Sequence, residues 1–196
     1  MKATFALLAN REVYNWVRKL AWEIHQTYHT GTLHVRLPPH ISLKQPFVIA
    51  EVAPLEAYMA ELAATIPPFT IHLTELQLEI GNFNGMEYGI LWLNVQETAE
   101  LRHLHNRLNQ ELARRFGNTR AAFDGPDYQF HMTVMMGGQP VEVYRKLYVK
   151  LAEHRLDLQY TVHDLALFVY DEPMGPQGEY LTYKILPLGK QSSWTA

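Results

Sequence analysis

Two tetrapeptides, His40-Ile-Ser-Leu43 and His131-Met-Thr-Val134, decide the organisation of this chain. In each of them polar and apolar residues alternate with a period of two, which predicts a β-strand. Side chains two positions apart in a strand project from the same face of the sheet. Each predicted strand therefore presents an imidazole and a hydroxyl on one face and turns two apolar side chains towards a core.

Outward from these strands, the predicted elements follow in the same order in both halves of the chain. Each half has a strand, a long amphipathic helix, the histidine strand, a shorter helix and further strands. The first half begins with a buried strand at residues 2–9, and the second restarts with a strand at residues 88–95. This pattern predicts an α+β fold with two pseudo-symmetric lobes, each an antiparallel sheet with helices packed outside, facing across a central groove.

We expect residues 1–196 to form a single bilobal domain, with lobes interleaved in sequence and approximate halves at 1–86 and 87–196. The other predicted elements that matter below are a strand at Phe69–Glu79, a turn at Gly81–Gly85, a helix at Val141–His154 and a strand at Gln159–Tyr170.

Composition limits the function classes. With 47% hydrophobic and 19% charged residues, the chain has enough apolar material for a globular core. The net charge of -3 argues against a broad basic surface for long duplexes. The absence of cysteine excludes disulfides, thiolate nucleophiles and cysteine-based metal sites. No apolar stretch approaches the roughly 18 residues that span a bilayer, so we expect a cytoplasmic protein without membrane association.

The His-x-Ser/Thr pattern occurs four times, at His25, His40, His72 and His131. His25 is excluded because it lies near a helix end, where residues two apart do not share a face. His72 lies on a strand and is a genuine rival, but it does not occupy the equivalent place in the element order. His25 and His29 also have the spacing of one metal edge on a helix, without an evident third ligand. We therefore expect no metal.

The longer segments around the two motifs resemble a known family. His40-Ile-Ser-Leu-Lys-Gln-Pro-Phe47 and Phe130-His-Met-Thr-Val134 are similar to the two signature tetrapeptides of the 2H phosphoesterases. That superfamily includes 2′-5′ RNA ligase-like proteins and 2′,3′-cyclic nucleotide phosphodiesterases. The resemblance implies a two-lobed α+β fold with His40 and His131 as catalytic acid and base. Some members carry a basic residue soon after the second motif, whereas residues 135–138 here are Met-Met-Gly-Gly.

The motif residues suit hydrolysis of a phosphate ester. Histidine, with an ordinary pKa near 6.5, serves as acid or base near neutral pH. We assign the base role to His131 and the acid role to His40. The hydroxyls of Ser42 and Thr133 are expected to donate hydrogen bonds to the phosphoryl oxygens. Lys44, two positions beyond Ser42, is expected on the same strand face as a cationic phosphate contact.

These residues predict a metal-independent phosphoesterase that needs no cofactor. The resemblance to the 2H phosphoesterases implies that its substrate is the 2′,3′-cyclic phosphate of a nucleotide or RNA end, or a 2′-5′ phosphodiester. The alternative is a nucleotide- or RNA-binding module without meaningful turnover, and a divalent-metal hydrolase ranks third. We expect a nucleotide or RNA terminus as partner and no obligate protein partner. The loop with Asp124 and Asp127 is interpreted as a gate or connector.

Overall fold

The computed structural model describes residues 1–30, 37–83, 85–151, 156–170 and 180–189. Within these ranges the chain forms nine strands and four helices. The strands are β1 (Lys2–Leu8), β2 (His40–Ser42), β3 (Phe47–Val48), β4 (Phe69–Phe83), β5 (Met86–Val95), β6 (His131–Met136), β7 (Leu158–Val162), β8 (Asp164–Tyr170) and β9 (Tyr180–Pro187). The helices are α1 (Arg11–Tyr28), α2 (Ala53–Thr65), α3 (Ala99–Phe116) and α4 (Val141–Leu151).

The strands belong to one antiparallel sheet in the order β7-β4-β5-β6-β2-β1-β8-β9, with β3 paired to β1. The seam between β6 and β2 divides this order into two matching sets, β6-β5-β4-β7 and β2-β1-β8-β9. The predicted α+β fold with two pseudo-symmetric lobes is confirmed, and the lobes correspond to these two sets of strands in one continuous sheet. The two sets meet edge to edge at the seam, where β2 pairs with β6, and these are the two strands that carry the histidine motifs.

The two sets are interleaved in sequence. Strand β4 from the first half of the chain pairs with β5, and β8 from the second half pairs with β1. Only His163 separates β7 from β8, although these strands lie near opposite ends of the strand order. The sheet must therefore curl until its ends approach each other. The predicted single strand at residues 159–170 is wrong, because the chain changes from one end of the sheet to the other at His163.

The two faces of the sheet are covered differently. On one face the helices pack against the large core, which includes Phe5 of β1, Ile41 of β2 and Met132 of β6. The opposite face carries a smaller apolar cluster, which consists of Ala6, Leu8, Leu37, Ala166, Phe168 and Tyr170. Because successive strand side chains alternate between faces, the motif histidines and hydroxyls share this second face.

Strand β4 extends to Phe83, into the first part of the turn that the sequence predicts at residues 81–85. Gly81 pairs with Tyr88 of β5, and a Cβ atom at Gly81 would lie 2.5 Å from the Tyr88 ring. The glycine therefore permits a close cross-strand approach within the sheet. The chain reverses later, where Gly85 has a φ of 81° and donates to the Asn82 side chain over 3.0 Å. The predicted helix at 141–154 is described as far as Leu151, and its last three positions lie outside the described residues.

Side-chain caps set the starts of the two long helices that flank the motif strands. Asn10 accepts a hydrogen bond from the backbone N–H of Val13 over 2.9 Å at the start of α1. Thr98 accepts one from Leu101 over 3.2 Å at the start of α3. Both residues satisfy a backbone donor that the first helical turn leaves unpaired. Helix α3 matters most below, because its His105 contacts Leu43, which follows β2, and Tyr128, which precedes β6.

Candidate active site

The two motifs lie on neighbouring antiparallel strands. Ile41 of β2 pairs with Met132 of β6, and both side chains point into the core. Extending this register by one residue in each direction sets His40 opposite Thr133 and Ser42 opposite His131. Directly opposed residues of antiparallel strands have Cβ atoms about 4.5–5.5 Å apart. Two imidazoles and two hydroxyls therefore form one compact diagonal array on the second face of the sheet.

The imidazole of His40 is oriented by its own chain. Its Nδ1 lies 2.8 Å from the carbonyl oxygen of Pro38, two residues earlier. A carbonyl only accepts, so Nδ1 carries the hydrogen and Nε2 is the nitrogen left for proton transfer. The ring also makes an edge contact with Phe168 of β8, with ring centroids 4.7 Å apart. These contacts fix both the tautomer and the ring plane.

The imidazole of His131 is held in the same way. Its Nδ1 donates to the carbonyl of Gln129 over 3.0 Å, again two residues earlier. The ring stacks on Trp92 of β5, with centroids 4.3 Å apart and an interplanar angle of 23°. The Trp92 indole N–H is in turn held by the Gln77 side chain at 3.3 Å. Both histidines therefore present Nε2 from a ring that the backbone and an aromatic neighbour hold in place.

Burial shifts the proton affinities of the two rings unequally. It lowers the pKa of His40 to about 4, with the charges of His131 and Arg18 adding to the effect and the bond to Pro38 opposing it. Burial also lowers the pKa of His131, against the opposing bond to Gln129. Both imidazoles are thus neutral at pH 7 before a ligand binds. The depression is stronger at His40 than at His131, so the two rings differ in proton affinity.

Lys44 does not share the face of Ser42, and the expectation that it contacts phosphate there is wrong. Strand β2 ends at Ser42, so the alternation of side chains that supported the expectation stops before Lys44. The Lys44 side chain is only 1% exposed and forms an ion pair with Asp124. Its ammonium group also donates to the Asn109 side chain over 2.7 Å. The lysine is thus anchored beside α3, on the opposite side of the sheet from the histidines.

Sequence reasoning missed three residues that contact or act on the histidines: Trp92, Phe168 and Arg18. Trp92 pairs with Thr133 across the β5–β6 register. Phe168 reaches His40 from β8, which joins the same set of strands only after the chain crosses the sheet. Arg18 of α1 donates to the carbonyl of Leu37, and its charge reaches His40. These neighbours depend on the strand register and on the crossing of the chain from β7 to β8. The local sequence pattern predicts neither of them.

The rival motifs remain apart from this array. His72 lies on β4 and pairs with Gln159 of β7, two strands beyond β6. His25 lies in the last turn of α1, where its Nδ1 donates to the carbonyl of Thr30. Across the described ranges, no group of three or more His, Asp or Glu side chains is arranged to hold a metal ion. Nor does any helix in those ranges have the length and apolar character needed to cross a membrane.

Comparison with known proteins identifies the class to which this fold and site belong. Residues 10–173 match the 2′-5′ RNA ligase superfamily. Since the match spans most of the sequence, the chain belongs to this superfamily of 2H phosphoesterases. A curated protein of Geobacillus thermodenitrificans (strain NG80-2), named "Putative phosphoesterase", is 28% identical over 148 residues. That alignment covers 69% of this chain and 77% of the relative.

Solved structures show the same fold at low sequence identity. TT0787 of Thermus thermophilus aligns with a TM-score of 0.65 and 17% identity, over 96% of this chain and 98% of that one. E. coli LigT complexed with 3′-AMP has a TM-score of 0.56 and 18% identity, over 96% and 98% of the two chains. Kluyveromyces marxianus Usb1 has a TM-score of 0.51 and 16% identity, over 95% and 97%. Membership of the superfamily is consistent with phosphoesterase activity.

Proposed function

We propose that this protein is a metal-independent phosphoesterase that hydrolyses the 2′,3′-cyclic phosphate of a nucleotide or RNA end, or acts on a 2′-5′ phosphodiester. The observation that carries the proposal is the register of β2 against β6, with Ile41 opposite Met132. Through it, two oriented imidazoles and two hydroxyls converge on one patch of the sheet. A phosphoryl group is small enough to contact all four side chains at once.

In the proposed reaction, His40 is the general base and His131 the general acid, the reverse of the roles assigned from the sequence. The Nε2 of neutral His40 removes a proton from water as the water oxygen bonds to phosphorus. The bond from phosphorus to a ribose oxygen breaks, and Nε2 of protonated His131 gives that oxygen its proton. Each positioned proton-transfer group contributes about 10²–10⁴-fold to the rate. The unequal pKa depression of the two rings supports this division of roles.

The remaining groups act on the non-bridging oxygens. The hydroxyls of Ser42 and Thr133 donate to these oxygens as negative charge builds there, in the manner of an oxyanion hole. The Arg18 guanidinium, whose charge reaches His40, attracts the phosphate anion to the site. An approaching anion also raises the pKa of His131, so substrate binding promotes the protonated form that the acid role requires.

A nucleotide or RNA end fits this site better than a long polymer. The 3′-AMP complex of the similarly folded E. coli LigT supports a nucleotide ligand. The net charge of -3 disfavours extended contacts to many phosphates. A role in RNA processing in the cytoplasm is part of the proposal.

The test is hydrolysis of the four nucleoside 2′,3′-cyclic monophosphates in the presence of EDTA. Wild type is compared with His40→Ala, His131→Ala and the matched control His72→Ala, which alters the same motif on β4. We expect turnover by wild type and His72→Ala, and a loss of at least about 10²-fold in each of the other two variants. Product analysis identifies the ribose oxygen that leaves.

Each alternative outcome has a definite meaning. Full loss of wild-type activity on chelation would exclude the metal-independent mechanism. Ligand binding without turnover, in wild type as in His40→Ala, would instead support the binding module. If wild type does not hydrolyse the cyclic mononucleotides, the same variants are compared on an RNA oligonucleotide with a 2′,3′-cyclic end and on a 2′-5′ linked dinucleotide. Lack of turnover and of binding on all these ligands would contradict the proposal.

A further inference from the structure

The seam between the two histidine strands has little pairing of its own. Strand β2 is three residues long, and its register with β6 consists of the single pair Ile41 and Met132. The spacing of the two imidazoles depends on this seam. A shift of about 1 Å between reacting groups can cost about 10²-fold in rate. Something beyond the strand pairing must therefore hold β2 in place against β6.

The residues that leave β2 are bound on the core side of the sheet. The Tyr128 hydroxyl donates to the carbonyl of Ser42 over 2.9 Å. His105 of α3 donates from Nδ1 to the carbonyl of Leu43 over 2.8 Å, and its ring stacks on Tyr128 with centroids 4.3 Å apart. We call residues 42–45 together with His105, Asp124 and Tyr128 the clamp.

Asp124 is the charged centre of the clamp. Its side chain is 7% exposed and pairs with the buried ammonium of Lys44. The same carboxylate accepts hydrogen bonds from the backbone N–H of Gln45 at 3.1 Å and of Ala121 at 3.2 Å. A buried carboxylate with one cation and two N–H donors holds its partners in a defined geometry. The ion pair thus ties the exit of β2 to the loop that precedes β6.

The position of that loop links the clamp to the second motif. Asp124 and Tyr128 both belong to the connection from α3 to His131. Arg102 of α3 fixes this connection by donating to the carbonyls of Gly125 and Tyr128, each over 2.8 Å. One set of contacts therefore restrains the end of the first motif strand and the start of the second. Both restraints act from the side of the sheet opposite the imidazoles.

We infer that Lys44, Asp124 and Tyr128 are positioning residues that fix the spacing between His40 and His131 from behind the sheet. The inference rests on the proposed function for its kinetic consequence, but not for its structural one. It gives Lys44 a role that differs from phosphate binding. It also makes the acidic loop before the second motif part of the catalytic geometry.

Two conservative tyrosine variants form the first test. Tyr128→Phe keeps the ring that stacks on His105 and removes only the hydroxyl that binds Ser42. Tyr58→Phe is the matched control, since Tyr58 is also buried and loses a 2.9 Å hydrogen bond, to Glu111, away from the motifs. We expect Tyr128→Phe to lower kcat by about tenfold with KM unchanged within about twofold, and Tyr58→Phe to leave both unchanged.

The second variant removes the buried ion pair as a unit. Lys44→Met with Asp124→Asn leaves no unpaired buried charge, and methionine fills the unbranched space beside Phe47. Loss of either partner alone would leave a buried charge without its counterpart and endanger folding. For the double variant we expect a fall in kcat between about tenfold and about a hundredfold. If this variant does not fold, the comparison of Tyr128→Phe with Tyr58→Phe tests the inference by itself.

The readout that separates positioning from general stability is the titration of the two imidazoles, followed by NMR in each protein. Loosening the seam should move the midpoints of His40 and His131 in the clamp variants and leave them unchanged in Tyr58→Phe. This measurement needs no substrate, so it remains decisive even if wild type shows no phosphoesterase activity. Folded clamp variants whose imidazole titrations match wild type would overturn the inference, as would an unchanged kcat in an active enzyme.

Discussion

The first histidine strand and the second share a backbone device but differ in their surroundings. In both, Nδ1 donates to the carbonyl two residues earlier. His40, however, lies on a three-residue strand between β6 and β1, against Phe168 and within reach of the Arg18 charge. His131 begins a six-residue strand and stacks on Trp92. The same short pattern therefore produces two imidazoles with the same orientation and different proton affinities.

This difference in proton affinity is what the proposed acid–base pair requires. Two histidines with equal pKa values would often be both neutral or both protonated, and neither of these states supplies a base together with an acid. Here the packing sets a lower proton affinity at His40 and a smaller shift at His131, while the strands keep the geometry equivalent. The comparison indicates that the repeated strand motif determines where the two imidazoles lie. The neighbouring side chains determine how their proton affinities differ, and so which one is the proposed acid and which the base.

The largest expected effects concern the hydroxyls, where the two motifs are equivalent. Thr133→Val and Ser42→Ala should each lower kcat by about 10²–10³-fold, because each removes a donor to the phosphoryl oxygens. Thr74→Val on β4 is the control from the rival motif and should have no effect. The measurement is steady-state hydrolysis of a cyclic mononucleotide. A loss below about threefold in both variants would show that the hydroxyls do not stabilise the transition state.

A substrate with a better leaving group tests the proposed difference in role between His40 and His131. Thymidine 3′-(4-nitrophenyl phosphate) has no 2′-hydroxyl to attack phosphorus, and its nitrophenolate departs without a proton, so its hydrolysis by water needs the base but not the acid. We expect the loss in His131→Ala to be at least about tenfold smaller on this ester than on a cyclic phosphate. The loss in His40→Ala should be the same on both substrates. The opposite pattern would restore His131 as the base.

The pH dependence follows from the direction of the two pKa shifts. His40 must be neutral, so kcat/KM should fall only as the pH drops through about 4. His131 must be protonated, and burial holds its pKa below the ordinary 6.5. Activity should therefore peak on the acidic side of neutrality and decline about tenfold per pH unit at higher pH. A plateau in kcat/KM extending above pH 8 would contradict this reading.

The smallest expected effect concerns Arg18, which distinguishes the surroundings of the first motif. Arg18→Gln should raise the pKa of His40, because it removes a positive charge that lowers it. It should also raise KM by about two- to threefold at low salt, and the difference should shrink as salt screens the charge. Lys19→Gln is the control, since Lys19 lies on the same helix with a side chain that is 79% exposed. Equal effects in both variants would indicate a general charge effect.

The sequence predicted the parts of the site that depend on local alternation. Both histidine strands, and the face that each motif presents, follow from a period of two in a handful of residues. What it could not predict depends on where strands end and which strands become neighbours. Lys44 was misplaced because β2 stops two residues earlier, and Gly81 was misread because a close tyrosine, not a turn, requires the glycine.

Long-range pairing explains the remaining differences. The break at His163 coincides with a change from the alternating pattern of β7 to the almost continuous apolar run of β8, but this change does not indicate which strand β8 pairs with. The break sends β8 across the sheet and brings Phe168 to His40. The loop with Asp124 was interpreted as a gate or connector, and its buried ion pair with Lys44 makes it an anchor. Only the tertiary fold shows that residues 80 positions apart form this pair.

The most direct test of the central claim is a double-mutant cycle on His40 and His131. The rates of wild type, His40→Ala, His131→Ala and the double variant are measured on a 2′,3′-cyclic mononucleotide with EDTA present. If the two imidazoles act as a unit in one step, the double variant loses little more activity than either single variant. If instead the two losses multiply, the histidines contribute independently, and the account of a single paired site is contradicted.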